Sequence, residues 1–207
     1  MKIKHFSVPP LNNNAYILWD EKTAEAVVID PSQGGDIIIK FVEKENLIVR
    51  MVLNTHYHFD HVFDNPKLKK RFTIPFFMHK ADIPYYEKDT MAEQFLKIKM
   101  EKVDINVGLK EGDKITFGKQ ELTVFHTPGH SEGSICFYAQ KEATLFSGDT
   151  LFKGTYGRVD LPGSDPEKMK KSLARLATFP IATKILPGHG EETILEKEIE
   201  WLKEFKK

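Results

Sequence analysis

One loop of the chain is rich in side chains that can bind metal ions. In the stretch LNTHYHFDHVFDN (53–65), His56, His58, Asp60 and His61 lie close together. The loop follows an apolar run, and side chains alternate along an extended strand, so His56 and His58 point to the same side and can reach one ion. Asp60 and His61 come where the chain is expected to turn into a helix, which directs them to a neighbouring position. One loop can therefore serve two metal ions.

Further residues of the same types occur at the ends of other apolar segments. His130 lies in TPGHSEGS after LTVF, Asp149 lies in SGDT after ATLF, and His189 lies in PGHG after KIL. Each follows an apolar strand and a Gly or Pro-Gly turn, an arrangement that lets the ends of separate strands converge on one cleft. These residues are therefore expected to join the loop in a single site.

The types of these side chains indicate which ions they would bind. Imidazoles and carboxylates suit zinc, iron or manganese. A closed structural zinc site typically has four ligands and often uses thiolates, whereas this set contains nitrogen and oxygen ligands only. The set therefore predicts a catalytic site with two metal ions, a pair that can generate hydroxide near neutral pH and stabilise an oxyanion. Of the other histidines, His79 and His126 are expected to have structural roles.

The segments between these residues predict a layered α/β protein. Apolar runs rich in β-branched residues predict strands at 15–19, 26–30, 48–55, 121–126, 134–139, 143–149 and 183–188. Asp165 followed by Pro166 predicts the start of one helix, and an apolar stripe near the C-terminus predicts another. Residues 80–107 contain helical stretches interrupted at Pro84. Strands and helices in this mixed order predict sheets covered by helices on their outer faces.

Composition limits the functional classes. The 207 residues are expected to form one domain, residues 1–207, and 30 basic residues balance 30 acidic ones, which argues against a nucleic-acid partner. The single cysteine, Cys136, rules out an intramolecular disulfide and fits a reducing compartment. No segment has the apolar length of a membrane span, and the N-terminus lacks a signal-peptide pattern. A cytoplasmic protein without membrane association is expected, and the sequence does not indicate its oligomeric state.

Four motifs together resemble the metallo-β-lactamase-fold hydrolase superfamily: HYHFDH, TPGHS, SGDTLF and PGHG, in that order and at typical separations. The resemblance extends over essentially the whole chain. It implies a four-layered αβ/βα sandwich with the metal ions at one edge. It also implies two divalent ions, with zinc expected first and iron or manganese as alternatives. The implied ligands are His56, His58 and His130 for the first ion, Asp60, His61 and His189 for the second, and Asp149 as the bridge.

The stretch GDTLFKGTYGRVDLPGSDPE is similar to short glyoxalase II-like proteins, also described as hydroxyacylglutathione hydrolase-like. This resemblance implies hydrolysis of a small-molecule thioester to a hydroxy acid and a thiol. It implies a catalytic role for Asp60 and substrate contacts for Tyr156 and Arg158. For Arg158 we expect recognition of a carboxylate, and the alternative is an ion pair with Asp160 or Asp165.

Two features separate the chain from the full-length glyoxalase II pattern. The family's helical C-terminal domain, which helps to bind glutathione, has no counterpart after His189, and the usual Gly-Gly after the metal loop is Phe63-Asp64. Glutathione is therefore not fixed as the thiol. Alternatives that remain open are a persulfide dioxygenase with a single iron, a lactonase or other ester hydrolase, and a non-enzymatic binding protein. Antibiotic hydrolysis is not expected, because β-lactamases of this fold commonly have cysteine at the position of Asp149.

Overall fold

In the computed structural model, which describes residues 1–206, two six-stranded sheets pack face to face. The first sheet follows chain order, with antiparallel pairing from the first to the third strand and parallel pairing after that. Its strands are β1 (Lys2–Val8), β2 (Asn13–Trp19), β3 (Glu25–Ile29), β4 (Ile48–Leu53), β5 (Phe76–His79) and β6 (Val107–Leu109).

The second sheet is mostly antiparallel. Its strands are β7 (Lys114–Phe117), β8 (Gln120–His126), β9 (Ile135–Ala139), β10 (Thr144–Gly148), β13 (Lys184–Pro187) and β14 (Thr193–Ile194), and a separate hairpin contains β11 (Leu151–Phe152) and β12 (Thr155–Tyr156). The order across the sheet is β14-β13-β10-β9-β8-β7. β10 and β13 run parallel, so their carboxyl ends lie side by side.

Helices cover the outer faces of the two sheets. They are α1 (Gly35–Lys44), α2 (Phe59–Val62), α3 (Asn65–Phe72), α4 (Ile83–Lys88), α5 (Met91–Leu96), α6 (Pro166–Leu176) and α7 (Leu195–Leu202), with 3₁₀ turns at Gln140–Glu142 and Lys203–Lys206. Within residues 1–206, no helix combines the length and the apolar character that a membrane crossing requires.

The alternation of side chains along β2 shows how the layers form. Tyr16 and Leu18 enter the core between the two sheets, whereas Ala15 and Ile17 pack on the opposite face with Ile38 of α1. The outer face of the second sheet is covered in the same way by α6 and α7, through Met169, Leu173, Leu176, Leu195 and Leu202. The order helix, sheet, sheet, helix confirms the αβ/βα sandwich and its single domain.

The strands predicted from apolar runs all occur, with boundaries within about two residues. The Asp165 side chain accepts hydrogen bonds from the backbone amides of Glu167 and Lys168, which confirms it as the N-cap of α6. Pro84 differs from its prediction, because it lies in the first turn of α4 and does not interrupt a helix. Proline is tolerated there, since the first-turn amides have no partner within the helix.

Candidate metal centre

The loop after β4 carries four of the candidate ligands. His56 and His58 precede α2, and Asp60 and His61 lie within it. The change from an extended to a helical backbone at His58 separates the directions of the two pairs. The expected turn into a helix is thus confirmed, and it presents two histidines on one side and an acid with a histidine on the other.

The structure brings six of the seven candidate residues into two adjoining groups of three. His56, His58 and His130 form one set, which we call the nitrogen group, and the ligand atoms within this set lie within 4.8 Å of one another. Asp60, His61 and His189 meet the same criterion and form the mixed group. This division matches the one that the family resemblance implies.

Asp149 lies between the two groups. Its Oδ1 is 3.4 Å from His61 Nε2, and its Oδ2 is 3.5 Å from His130 Nε2 and 3.6 Å from His189 Nε2. A Cβ added at Gly188 would lie 2.2 Å from Asp149 Oδ1, so only glycine leaves room for this carboxylate. One carboxylate thus faces ligand atoms of both groups.

Partners of the ring nitrogens fix the orientation of four histidines. Nδ1 of His61 donates to Asp30 Oδ2 at 3.0 Å, and Nδ1 of His130 donates to the Arg158 carbonyl at 2.8 Å. His189 Nδ1 faces the Leu11 carbonyl at 3.2 Å, and His56 Nδ1 lies 3.0 Å from the Thr55 hydroxyl. When Nδ1 carries the proton, Nε2 keeps its lone pair for a metal ion, as is usual for ligating histidines.

Three buried atoms of the candidate ligands have no hydrogen-bond partner among the described residues: His56 Nε2, His58 Nε2 and Asp149 Oδ1. Burying a polar atom without a partner is costly, so such atoms indicate a group that binds there. A metal ion fits His56 Nε2 and Asp149 Oδ1, because the first offers an imidazole lone pair and the second offers a carboxylate oxygen.

The electrostatics of the two groups differ. Burial and the neighbouring imidazoles hold the pKa of His56 well below its ordinary value, and burial together with His130 lowers the pKa of His58 to about 3. In the mixed group, burial opposes protonation of His61, but Asp149, Asp60 and Asp30 raise its pKa well above the ordinary value. Protonation is therefore disfavoured at His56 and His58, whereas carboxylates surround the mixed group.

Two residues that contact the ligands were not identified from the sequence, Asp30 and Asn13. Asp30 accepts hydrogen bonds from the amide and hydroxyl of Thr55 and from the ligand His61, so it orients His61 and holds the residue next to His56. Asn13 donates to Asp60 Oδ2 at 2.8 Å. Asp30 follows the apolar strand AVVI, the same signal that identified Asp149. Asn13 is the first residue of β2 and precedes the apolar run of that strand, so it gave no such signal.

A cavity of about 490 Å³, which we call the metal cleft, opens over the centre. His58, Asp60, His130, Asp149 and His189 form its polar wall, and Leu11, Phe59, Phe95, Phe152 and Leu161 are among its apolar residues. The volume is in the range of small-molecule sites.

Of the two predicted substrate contacts, Arg158 lies at the metal cleft and Tyr156 does not. Arg158 lines the metal cleft, and its guanidinium donates to both carboxylate oxygens of Asp160 at 2.7 and 2.8 Å. The expected alternative for Arg158, an ion pair with Asp160, is thus present. Tyr156 is not among the residues of the cleft, because its ring packs against Trp201 and Phe205. The structure therefore does not bring Tyr156 to the metal centre.

Known proteins of similar sequence include hydrolases. A probable metallo-hydrolase, YqgX, from Bacillus subtilis (strain 168) is 33% identical over 93% of this chain and 92% of its own length. A hydroxyacylglutathione hydrolase from Pelagibacter ubique (strain HTCC1062) is 34% identical over 86% of this chain. The match spans 66% of that enzyme, so about a third of its length has no counterpart here.

Solved structures with the same fold cover nearly the whole chain. The BLEG-1 B3 metallo-beta-lactamase has a TM-score of 0.90 at 32% identity, over 96% of this chain and 97% of that one. TTHA1623 in a di-iron-bound form has a TM-score of 0.85 at 37% identity, over 94% and 96%. ETHE1 from Myxococcus xanthus has a TM-score of 0.80 at 26% identity, over 96% and 81%.

The family model described as the metallo-beta-lactamase superfamily matches residues 8–189. This range begins at the end of β1 and ends at His189 of the mixed group, so it includes most strands of both sheets and all seven candidate ligands. Together with the metallo-hydrolase relative and the fold, the match supports a metal-dependent hydrolase. The chain belongs to the metallo-beta-lactamase superfamily.

Proposed function

We propose that this protein is a dinuclear metal-dependent hydrolase that cleaves small-molecule thioesters to a carboxylic acid and a thiol. The observation that carries the proposal is the geometry of the centre: Nε2 atoms of His61, His130 and His189 lie 3.2 to 3.6 Å from carboxylate oxygens of two aspartates, Asp60 and Asp149. An open cleft lies over this arrangement. A closed structural site would have no reason to face a cavity of this size.

The nitrogen group would hold one ion and the mixed group the other, with Asp149 shared between them. Zinc suits both donor sets. Iron is the next candidate, because TTHA1623, which is 37% identical, is known in a di-iron-bound form, and manganese also accepts these ligands. When bound, such a pair lowers the pKa of water and polarises a carbonyl oxygen.

The protein residues contribute positioning and charge. Asp60 is the catalytic carboxylate of the proposal, since it lines the cleft and faces any substrate at the mixed group. Burial opposes its ionisation, but His61, His189 and Asn13 hold the pKa of Asp60 far below its ordinary value. It therefore stays ionised and orients the attacking water by accepting a hydrogen bond. Hydrolysis then adds water to the carbonyl carbon, breaks the carbon–sulfur bond and releases a thiol, a carboxylate and a proton.

The choice of a thioester rests on relatives. The enzyme from Pelagibacter ubique is named a hydroxyacylglutathione hydrolase, and the matching region includes most of this chain. Arg158 offers a contact for an anionic thiol, because the pairing with Asp160 uses two of its five N–H donors. Arg158→Ala is then expected to raise KM about 10-fold for a thioester whose thiol carries carboxylates, with kcat nearly unchanged. A neutral thioester should not distinguish the variant from the wild type.

The test of the proposed function is metal analysis of the purified protein combined with three assays. Thioester hydrolysis is measured without oxygen, persulfide oxidation is measured with oxygen, and hydrolysis of a β-lactam is included because BLEG-1 is a B3 metallo-beta-lactamase. The proposal expects two ions per chain and turnover of the thioester in the absence of oxygen. One ion per chain with activity only on the persulfide in oxygen would overturn it.

A persulfide dioxygenase is the second candidate function. The iron of TTHA1623 favours it, because oxygen chemistry requires a redox-active metal and this chain has similar sequence and fold. A dioxygenase needs a single iron, however, and here the second set of ligands is also assembled. Substitution of Asp60 and His61 separates the two candidates, because only the dinuclear hydrolase needs the mixed group.

A further inference from the structure

A second cavity adjoins the metal cleft. It has a volume of about 640 Å³, and it shares Met91, Phe95 and Leu161 with the cleft. We call it the side chamber and define it by Tyr57, Tyr85, Met91, Phe95, Leu161 and Pro162. Because three side chains border both spaces, the two cavities lie side by side, and a molecule at the metal centre would reach the side chamber across the exposed Phe95 side chain.

The walls of the side chamber suit an apolar occupant. The rings of Tyr57 and Tyr85 stack with their centroids 5.5 Å apart. The Tyr57 hydroxyl donates to the Pro162 carbonyl at 2.9 Å, so the hydrogen of this polar group is already paired within the protein. Tyr57 also lies between the candidate ligands His56 and His58, so the chamber is built directly on the metal loop. A fixed aromatic wall at this position can bind part of the substrate.

Phe95 marks the border between the two cavities. It lies on α5, it is 68% exposed, and its ring stacks on Phe59 with the centroids 6.5 Å apart. An aromatic side chain that is exposed to this degree at the mouth of a cavity gains about 25 cal/mol for each Å² of apolar surface that a ligand covers. Phe95 therefore offers a large exposed apolar surface that an apolar ligand at this site would cover.

The charges at the side chamber do not favour an anionic occupant. Lys88 and Asp89 both line it, and their opposite charges leave no net attraction for an anion. Arg158 lies in the metal cleft and not in the chamber. A charged thiol would therefore lie towards Arg158, and the part of the thioester that remains for the apolar chamber is the acyl group.

We propose that the side chamber binds the acyl chain of the substrate, so that the preferred substrates are thioesters of apolar acyl groups of about six carbons or more rather than short hydroxy acids. This inference rests on the proposed function and specifies its substrate class. Each methylene that becomes fully buried is expected to raise kcat/KM about four-fold. The side chamber and Phe95 would thus set the chain-length preference.

The test compares acetyl, butyryl, hexanoyl and octanoyl thioesters of one neutral thiol, N-acetylcysteamine, with the metal-loaded protein. The hexanoyl thioester should exceed the acetyl thioester by at least about 10-fold in kcat/KM, which is less than full burial of four methylenes would give. In Phe95→Ala this ratio should fall several-fold. Gln94 also lines the side chamber, so the larger ring in Gln94→Trp should fill part of it and lower the octanoyl-to-butyryl ratio of kcat/KM.

Ile98→Ala is the matched control. Ile98 is an apolar residue that is 50% exposed and follows the same helix, but it borders neither the metal cleft nor the side chamber. Its removal should leave the chain-length ratios at the wild-type values. Equal ratios in Phe95→Ala and the wild type, or an equal loss in Ile98→Ala, would overturn the inference.

A binding measurement separates this inference from the proposed function. Calorimetric titration with butyrate, hexanoate and octanoate should show affinity that rises with chain length in the wild type and in Ile98→Ala, and a smaller rise in Phe95→Ala. If the protein cleaves no thioester but this binding pattern holds, the proposed hydrolase function is wrong and the acyl-binding role of the side chamber is supported. If thioesters of all chain lengths are cleaved equally and the carboxylates bind equally, the acyl-binding role is wrong and the hydrolase function is supported.

Discussion

The nitrogen group and the mixed group differ in burial and in charge. All three members of the nitrogen group are buried, and burial and neighbouring imidazoles disfavour protonation of His56 and His58. In the mixed group His61 is buried, but Asp60 and His189 are only partly so, and the side chain of His189 is 26% exposed. Both groups border the metal cleft, but the nitrogen group is the more buried of the two and the mixed group is richer in carboxylates.

This difference implies that the nitrogen group and the mixed group have different roles. An ion bound by the more buried nitrogen group would exchange more slowly, because solvent and competing ligands would reach it less easily. An ion bound by the mixed group would lie beside the more exposed His189, where a substrate could approach it. The nitrogen group would therefore anchor the pair, and the mixed group would face the substrate and exchange more readily.

Substitution of the residue shared by both groups should have the largest effect. Asp149→Ala removes the one carboxylate that faces His61, His130 and His189. We expect metal content to fall at both groups and kcat/KM to fall by more than about 100-fold, beyond the loss that follows removal of an outer-shell partner. Elemental analysis, steady-state kinetics and a thermal unfolding curve check this, and the curve should show a folded protein. Near-normal activity would contradict the bridging role.

Removal of one ligand from each group tests whether the two groups bind their ions independently. His189→Ala should lose the ion of the mixed group and keep one ion per chain, whereas His58→Ala should lose the anchoring ion. In the wild type, a chelator should remove one equivalent clearly faster than the other, and this fast phase should be absent from His189→Ala. Elemental analysis and stopped-flow chelation measure both effects. If the wild type loses both ions in one phase, the comparison between a more buried and a more exposed group is wrong.

Asp30 provides a weaker perturbation of the mixed group. Its carboxylate accepts from His61 Nδ1 at 3.0 Å, so Asp30→Asn keeps the shape of the side chain but weakens the orientation of one ligand. Metal affinity at the mixed group should fall about 10- to 100-fold, with less effect on the nitrogen group. Asp20→Asn is the control, because Asp20 is equally buried and hydrogen-bonded but its partners are in the segments around Lys22 and Lys119. An equal loss of affinity in both variants would show a general loss of structure.

Much of this centre could be predicted from the sequence, because each ligand follows an apolar strand and a turn. Strand ends on neighbouring parallel strands meet at one edge, so Asp149 and His189 were expected to be adjacent. The layered fold was predictable for the same reason, since alternation along strands such as β2 specifies which face each residue covers. The predicted strands were those with continuous apolar runs.

Other features depend on contacts between segments that are distant in the sequence, and no local sequence pattern predicts these contacts. Asn13 reaches Asp60 because β2 begins beside the turn that carries His189, a pairing between distant segments. Tyr156 lies near Arg158 in the sequence, but the short hairpin of β11 and β12 turns its ring towards α7 and away from the cleft. The side chamber depends on α5, whose boundaries the sequence did not define. Such positions follow from packing, and packing is not visible in spacing alone.

The smallest effect concerns a histidine pair outside the centre, which tests the cause of the low pKa values in the nitrogen group. His79 and His126 stack with their centroids 4.0 Å apart. Burial, His126 and Lys80 lower the pKa of His79 to about 4, although Glu132 and Asp113 act in the opposite direction. The same physical causes operate here as in the nitrogen group, but without the mixed group's carboxylates.

The depressed pKa of His79 makes the stability of the fold sensitive to acid. Between about pH 6.5 and 4 the unfolded chain binds a proton at His79 that the folded chain excludes, so stability is present at neutral pH and is lost as pH falls through this window. We expect the loss between pH 7 and 5 to be about 1 to 2 kcal/mol from this residue. His79→Phe keeps a stacked ring and should lose that much less stability over the same range, measured by urea unfolding at both pH values. If the variant loses as much stability as the wild type, burial beside another imidazole does not suppress protonation in this fold. The low pKa values of His56 and His58 would then need another cause.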